Sequence, residues 1–228
     1  MLAGEAVVAI WNDIAPEART QFYDWHTNEH MPERVGIPGF RRGRRAIALD
    51  EATQPEFFTL YEADTFEVIT GSDYVARLND PTPATRTVTA QFRATTRTLA
   101  RVVESRGPGL GGILLTLRFE AEAMLVPELS TITRSCAVVP RVTGAHLCRT
   151  ERDASDLRTA ETRARADIET PPAWFALPAW FVLIEATDPE AIDLLAVQQA
   201  MSSAGAHGPF VGGRYRLEYL RTRTAVTP

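Results

Sequence analysis

Apolar residues are grouped in short runs along the whole chain, and segments with helical spacing separate them. Many of the runs are rich in β-branched or aromatic side chains, as strands are. This pattern predicts a mixed α+β protein. The predicted strands are Ala6 to Trp11, Phe40 to Leu49, Phe57 to Glu62, Leu99 to Val103, Ile113 to Phe119, Val142 to Thr150, Trp180 to Ala186 and Arg214 to Leu220.

Helical spacing fills the segments between these strands. Pro16 suits the first turn of a long helix, which Gly36 and Pro38 should end. A second helix begins near Phe66, is interrupted at Gly71, and stops at the prolines around residue 82. In the second half, residues 121–138 and 189–201 are predicted helices, and the polar stretch 153–169 is a predicted surface excursion.

The same order of elements occurs twice, on either side of the glycine-rich stretch 107–112. Residues 59–64 (Thr-Leu-Tyr-Glu-Ala-Asp) match residues 182–187 (Val-Leu-Ile-Glu-Ala-Thr) most clearly. We therefore predict two ferredoxin-like (βαββαβ) repeats, residues 1–106 and 113–228. Each repeat leaves one sheet face bare, so the economical arrangement packs the two bare faces together as a pseudo-dimeric α/β barrel within one chain.

Composition narrows the function. The chain is 45% hydrophobic and 23% charged, with a net charge of −5, which disfavours general nucleic-acid binding. No apolar run approaches the roughly 20 residues of a membrane span, and the N-terminus does not resemble a signal peptide. Only Cys136 and Cys148 are present, so we expect a reducing cytoplasm. Every basic residue is arginine, which excludes lysine Schiff bases and a P-loop.

Candidate chemistry is concentrated in residues 22–34, which hold two of the four histidines. Helical spacing aligns one mixed stripe of aromatic, imidazole and carboxylate side chains, with Trp25 at its edge. The stripe comprises Phe22, His26, Glu29, His30 and Glu33. Such a mixture is unusual for a core face and for a solvated face, so we predict the functional site here.

An imidazole can take a proton from a substrate and return it near neutral pH. His26 and His30 lie one turn apart, and Glu29 is placed to orient a ring. His30 is close to the helix end, where a histidine also interacts favourably with the helix dipole. His26 is therefore the stronger catalytic candidate, while a purely structural role for one of the two rings stays open.

Two other interpretations of this region are weaker. Residues 26–30 match the H-x-x-E-H pattern of some zinc proteases, but the match is short. The distant acid Glu104, which could complete such a site, lies at the end of a predicted strand and not on a helix. The arginines of residues 41–45 alternate between strand faces and do not form one patch, although one inward arginine could hold a carboxylate or phenolate.

Further residues are expected to border the pocket. Tyr74, Arg77 and Asp80 lie on the helix that ends beside the first one. Aromatic side chains are candidates for a pocket wall and equally for ordinary core: Trp11, Tyr23, Trp25 and Phe58. His146, in the second half, is expected to be a satisfied interior or edge histidine.

Three motifs in the first half resemble the dimeric α/β-barrel superfamily, most closely its EthD-like members. They are Trp25-His26-x-x-Glu29-His30-Met31-Pro32-Glu33-Arg34, Pro38-Gly39-Phe40-x-x-Gly43-Arg44-Arg45 and Leu78-Asn79-x-Pro81-Thr82-Pro83. The second half lacks them. The resemblance implies a pocket between the helices and the sheet of one repeat, lined by a histidine or acid of the first helix. The superfamily includes cofactor-free isomerases, cyclases and monooxygenases, and also haem enzymes.

These observations lead to one main expectation. The protein is expected to be a cytoplasmic enzyme, a monomer or homodimer, that performs acid–base chemistry on a small cyclic or aromatic substrate. Isomerisation, cyclisation, decarboxylation and elimination all fit this chemistry. We expect no cofactor and no metal; His26, His30 and Glu29 are the catalytic candidates, and Trp25, Phe22, Tyr74, Arg77, Asp80 and Trp11 the substrate-binding ones. The alternatives are a haem protein with His26 or His30 as axial ligand, and a non-catalytic ligand-binding or stress-response module.

Overall fold

Eight antiparallel strands close into a barrel in a computed structural model of the chain, which describes residues 1–164 and 178–223. The strand order around the barrel is β1-β3-β2-β8-β5-β7-β6-β4. Each repeat contributes four neighbouring strands, and the helices lie outside. The predicted architecture of two βαββαβ repeats within one chain is therefore confirmed.

The elements follow the predicted order. The strands are β1 (Ala6–Ile14), β2 (Phe40–Ala48), β3 (Phe57–Ala63), β4 (Phe92–Arg106), β5 (Ile113–Glu120), β6 (Val142–Thr150), β7 (Trp180–Ala186) and β8 (His207–Thr222). The α-helices are α1 (Arg19–Trp25), α2 (Met31–Gly36), α3 (Phe66–Thr70), α4 (Ser72–Asn79), α5 (Pro83–Thr89), α6 (Val126–Cys136), α7 (Arg152–Ser155), α8 (Ala160–Arg163) and α9 (Leu194–Ser203). Within the described ranges, no helix has the length and hydropathy to cross a membrane.

Strands β4 and β8 are much longer than the sequence pattern predicts, at 15 and 16 residues. Strand β4 pairs with β1 of its own repeat and with β6 of the other, and β8 pairs with both β5 and β2. These two strands join the repeats and close the barrel. Their polar ends are ordered by pairing partners that are distant in sequence, so local hydrophobicity does not reveal them.

Strands β3 and β7 are buried on both faces, β1 and β5 nearly so, whereas much of β8 is exposed or half-buried. On β1, Val7, Ala9 and Trp11 point into the barrel, whereas Ala6 and Val8 pack beneath the helices. The same alternation runs around the barrel and separates an interior core from helix-covered cores outside. Burial on both faces explains why β7 is hydrophobic or buried at all seven positions.

The interior core contains a charged network that joins the two repeats. Arg44 of β2 contacts Glu62 at 3.0 Å and Glu185 of the second repeat at 2.7 Å. His146 lies 3.2 Å from the other Glu185 oxygen and 2.9 Å from the Ser105 hydroxyl. All three charged side chains of the Arg44 cluster are at most 1% exposed. His146 is thus a satisfied interior residue, as expected.

The charges of this network are set by its hydrogen bonds. Burial alone would raise the pKa of Glu185, but the hydrogen bonds from His146 and Arg44 and the guanidinium charge outweigh it and lower the pKa to about 2. Burial lowers the pKa of His146 in spite of the facing carboxylate, so its ring is neutral and donates a hydrogen bond to Glu185.

Glu185→Gln should destabilise the protein by about 3 to 5 kcal/mol, because it removes one of two carboxylates that compensate a buried arginine. Urea unfolding at pH 7 measures this effect. The matched control is Asp188→Asn, which weakens the exposed Arg141–Asp188 pair and should cost less than about 1 kcal/mol. Similar losses in the two variants would contradict a special role for the interior network.

Candidate functional site

The helical segment that carries the two histidines contains a π-helical turn at residues His26–His30, between α1 and α2. π-turns are rare and often occur at functional sites. The wider turn directs both imidazoles towards the sheet: His26 is 3% exposed and His30 is 5% exposed. Gly43 of β2 permits close packing here, because a Cβ at this position would lie 2.1 Å from the Met31 sulfur.

His26 is held by an arginine. Its Nδ1 atom lies 3.3 Å from Nη1 of Arg45 on β2. Arginine only donates hydrogen bonds, so Nδ1 accepts and the ring proton is placed on Nε2. Burial, the neighbouring His30 and the Arg45 charge lower the pKa of His26 well below its usual 6.5. The ring is therefore neutral and presents one N–H donor.

Arg45 is itself held by the second repeat. Its Nε contacts Glu218 at 3.3 Å, and its guanidinium lies 5.8 Å from the ring centre of Tyr219. Both residues belong to the far end of β8. Tyr23 of α1 lies against the same guanidinium, 4.6 Å away, and donates a hydrogen bond to Glu218. Sequence reasoning missed Glu218 and Tyr219, because their nearness to His26 depends entirely on barrel closure.

His30 is positioned by an aromatic ring. Its ring centre lies 4.3 Å from that of Trp25 and 5.8 Å from that of His26. The Trp25 indole donates to the Thr85 hydroxyl at 3.1 Å, Thr85 is 3.0 Å from Thr82, and Thr82 bonds to Glu29. Glu29 thus acts on Trp25 through two hydroxyls. For His26, the side chain that orients the imidazole is Arg45; the orienting role of Glu29 stays a prediction.

Further polar groups are buried between the helices and the sheet of the first repeat. Tyr61 of β3 is 2% exposed, and its hydroxyl has no hydrogen-bond partner in the described part of the chain. Burial raises its pKa well above the usual 10. Tyr74 of α4 accepts a hydrogen bond from Arg97 of β4 at 3.1 Å. We call His26, His30, Arg45, Tyr61, Tyr74 and Arg97 the polar cluster.

The segment that was predicted to be a surface excursion helps to build this region. Glu161 of α8 is 5% exposed and forms an ion pair with the buried Arg34 of α2. The Ala160 N–H donates to Asn79 at the end of α4. Residues 160–163 therefore pack on the first repeat, which corrects the expectation for this part of the segment; residues 165–169 lie outside the described residues.

The predicted substrate-binding residues divide into three groups. Phe22, Trp25 and Tyr74 are buried around the polar cluster. Arg77 and Asp80 are exposed at the end of α4. Trp11 is on the opposite side of the sheet, inside the barrel against Phe58 and Phe181. Because β-strand side chains alternate, Trp11 and Phe58 cannot share a pocket wall with Trp25, and the expectation for them is corrected.

The two repeats differ sharply at equivalent positions. The strand registers place Arg45, Tyr61 and Arg97 where the second repeat has Leu147, Ile184 and Gly212. In place of a polar cluster, the second repeat has a mostly apolar cavity of about 380 Å³ between α6, α9 and the sheet. The side chains that line it include Ile132, Cys136, Val142, Ile184, Ile192 and Val197.

The described residues do not build a metal site around the two histidines. In the described ranges, no three His, Cys, Asp or Glu side chains converge as a metal site requires. The ring centres of Phe22 and Trp25 lie 5.3 and 5.7 Å from that of His26, and Trp25 covers His30. Aromatic side chains thus pack against both imidazole rings.

Comparison with solved structures identifies the fold. An anthrone oxidase-like protein superposes with a TM-score of 0.60 at 10% sequence identity, covering 98% of this chain and 96% of that one. A candidate monooxygenase from Fusobacterium nucleatum gives 0.57 at 7% identity, covering 97% and 96%. A candidate chlorite dismutase gives 0.53 at 10% identity, covering 95% and 96%. The chain therefore has the dimeric α/β-barrel, ferredoxin-like fold over nearly its full length.

The sequence comparisons add no family to this assignment. No protein-family model matches the chain, and no curated protein matches it. At such low identities, the structural likeness shows the fold alone. The resemblance to EthD-like proteins stays a prediction.

The protein should become less stable as the pH falls below about 6.5. In the unfolded chain His26 binds a proton in this range, whereas in the folded protein its pKa is lowered and the ring stays neutral. Each such histidine lowers the free energy of unfolding by at most about 1.4 kcal/mol per pH unit. Between pH 7.5 and pH 5.5, the free energy of unfolding should therefore fall by about 1 kcal/mol less in His26→Asn than in the native protein. Urea unfolding at the two pH values measures this difference. The exposed His207 provides the control: His207→Asn should keep the native pH dependence. An unchanged slope in His26→Asn would show that His26 is not held neutral.

Proposed function

We propose that the first repeat is an enzyme site that transfers protons on a small cyclic or aromatic organic molecule, without a tightly bound cofactor. One observation carries the proposal: a neutral histidine held by an arginine lies in the same buried cluster as a tyrosine hydroxyl that has no partner among the described residues. Buried polar groups are normally bonded, so a hydroxyl left unbonded by the described residues, on a ring 6.4 Å from that of His30, is suited to an incoming substrate.

The geometry refines the role of His26. Its Nδ1 lone pair is occupied by Arg45, and the adjacent positive charge opposes protonation. A neutral Nε2–H, however, is a good donor to an oxygen on which negative charge develops. In this proposal His26 stabilises an enolate or phenolate oxygen, and Arg45 acts as a positioning residue that sets the tautomer.

His30 is the residue that accepts and returns the proton in this proposal. A C–H or O–H bond of the substrate breaks, its proton moves to an imidazole nitrogen of His30, and the electron pair stays on the substrate as an enolate or phenolate. The proton then returns to another substrate atom, so that an isomerisation balances without an oxidant. The Tyr61 hydroxyl, which burial keeps protonated, is a second donor to the oxyanion.

The names of the structural neighbours suggest where to search for a substrate. An anthrone oxidase-like protein and a monooxygenase candidate share this fold. Anthrone is an aromatic ketone with an acidic methylene group, so it suits a site that abstracts a proton and stabilises an enolate. Exchange of this methylene in D2O, followed by NMR, reports the proton transfer directly. An oxygen electrode in parallel separates isomerase-type chemistry from oxygenation.

Tyr61→Phe should lower turnover at least ~10-fold, since it removes one oxyanion donor, whereas His26→Ala should lower it ~100-fold or more. Tyr61→Phe should leave thermal stability unchanged or slightly higher, because the described part of the chain offers the lost hydroxyl no partner. Initial rates on anthrone or on a ligand retained in native mass spectrometry measure the first effect. His207→Ala is the matched control. Unchanged rates in both Tyr61→Phe and His26→Ala would refute the proposal.

Ligand binding without turnover is a second candidate function, which the cavity of the second repeat favours. About 380 Å³ lies within the range of small-molecule sites, and the lining is almost entirely aliphatic. Asp193, the one carboxylate of the lining, already accepts the N–H groups of Leu195 and Ala196 at the start of α9. The cavity is therefore suited to an uncharged apolar molecule.

Ala196→Trp should abolish the binding of a fluorescent apolar probe such as 1-aminoanthracene, because the indole would fill the cavity that Ala196 lines. Ser202→Trp places the same indole on the exposed side of α9 and should leave probe binding intact. A fluorescence titration measures both. Equal probe affinity in the two variants would assign the binding to another surface.

A further inference from the structure

Besides the paired Arg44, the barrel interior holds a second arginine, whose charge faces no carboxylate in the described part of the chain. Arg118 of β5 is 5% exposed and lies with its guanidinium 4.7 Å from the ring centre of Trp11. The strand registers make Arg118 the counterpart of Trp11 in the other repeat, so the two side chains meet across the interior. This place is on the opposite side of the sheet from the polar cluster.

Arg118 contrasts with Arg44, the other buried interior arginine. Arg44 has two carboxylates within 3.0 Å. Among the described residues, no carboxylate lies within 4.0 Å of Arg118, and its side chain makes no hydrogen bond. Asp13, two residues after Trp11, accepts the Glu56 backbone N–H at 2.6 Å instead. Stacking on the Trp11 indole partly compensates the positive charge of Arg118, but it gives the guanidinium N–H groups no hydrogen-bond acceptor.

Other unsatisfied groups line the same interior. The hydroxyls of Thr96 and Thr98 on β4 and of Thr150 on β6 are buried and have no hydrogen-bond partner within residues 1–164 and 178–223. Thr96 pairs with Trp11 across the β1–β4 ladder, and Thr98 is the next interior position. Buried hydroxyls and a buried guanidinium are rarely left unbonded in a folded protein. A group bound in the interior would supply an acceptor to side chains that have none among the described residues.

Burial lowers the pKa of Arg118 to about 10, so the side chain is still a cation at neutral pH. Its Nε atom is enclosed and unbonded, whereas the terminal nitrogens are not fully enclosed. An incoming group therefore meets the fork of the guanidinium, which is the geometry that binds a carboxylate or phosphate with two parallel hydrogen bonds.

We propose that the barrel interior at Trp11 and Arg118 binds a small oxyanion, either an organic carboxylate or inorganic phosphate. The guanidinium fork of Arg118 donates to two oxygens of the anion, and the interior threonine hydroxyls are the additional donors. Trp11 holds the guanidinium plane and offers an aromatic face to an organic substituent. The site is separate from the proton-transfer site proposed above, and neither depends on the other.

Thermal unfolding with added salts tests this site. Sodium benzoate and sodium phosphate are compared with sodium chloride at equal ionic strength. At saturation, the bound anion should raise the Tm of the native protein by about 3 °C or more. A response to benzoate alone assigns an organic carboxylate, and a response to phosphate alone assigns the inorganic ion. Trp fluorescence should change over the same concentrations, since Trp11 contacts the guanidinium.

Arg118→Met separates binding from a structural role. It keeps the volume and removes the unpaired charge, so without added anion its Tm should equal or exceed the native value, and the response to anions should vanish. Arg216→Met, at an exposed position of β8, should keep the full response. Should Arg118→Met fail to fold, Arg118→Lys keeps the charge without the fork and should need about tenfold more anion.

Two results would overturn the proposal. One is a native Tm that responds to benzoate and phosphate no more than to chloride. The other is an Arg118→Met variant that responds to the anions as the native protein does. A lower Tm in Arg118→Met, together with no anion response in the native protein, would assign Arg118 to stacking on Trp11 alone.

Discussion

The compensation of one buried charge, that of Arg44, holds the two halves of the molecule together. Arg44 belongs to the first repeat, and its carboxylate partners Glu62 and Glu185 come from different repeats. Because Arg44 is buried away from water, the loss of either acid would leave its positive charge poorly compensated. The barrel can close in one register only, because a slip by a single residue would turn these groups to the helix-covered face.

Duplication has left equivalent positions with different chemistry. Arg44 and Glu62 in the first repeat correspond to His146 and Glu185 in the second, and all four groups meet in one interior network. Outside the barrel the repeats differ more. The first fills the space beneath its helices with imidazole, phenol and guanidinium groups, while the second keeps aliphatic side chains and an apolar cavity. Polar and apolar surroundings are thus divided between two copies of one fold.

The long strands β4 and β8 join the two repeats, and β8 also supports the proposed site. They carry residues of each repeat across the barrel seams, and the end of β8 supplies Glu218 and Tyr219 to the arginine that holds His26. The proposed catalytic ring therefore depends on a residue almost two hundred positions away. The first repeat alone would lack this support, which gives a physical reason for keeping both repeats in one chain.

The periodicity of the sequence was enough to predict the order of strands and helices along the chain, the duplication and the helix that carries His26 and His30, because local patterning reflects which face each side chain buries. It left His146 as a satisfied interior or edge histidine, and barrel closure decided for the interior. Tertiary structure alone decided that Glu29 supports Trp25, that Arg45 sets the His26 tautomer, and that Trp11 faces the barrel interior with Arg118. These outcomes rest on strand register, on a π-helical turn and on contacts between distant segments. A single sequence contains no local signal for them, since their energies arise only after the barrel has closed.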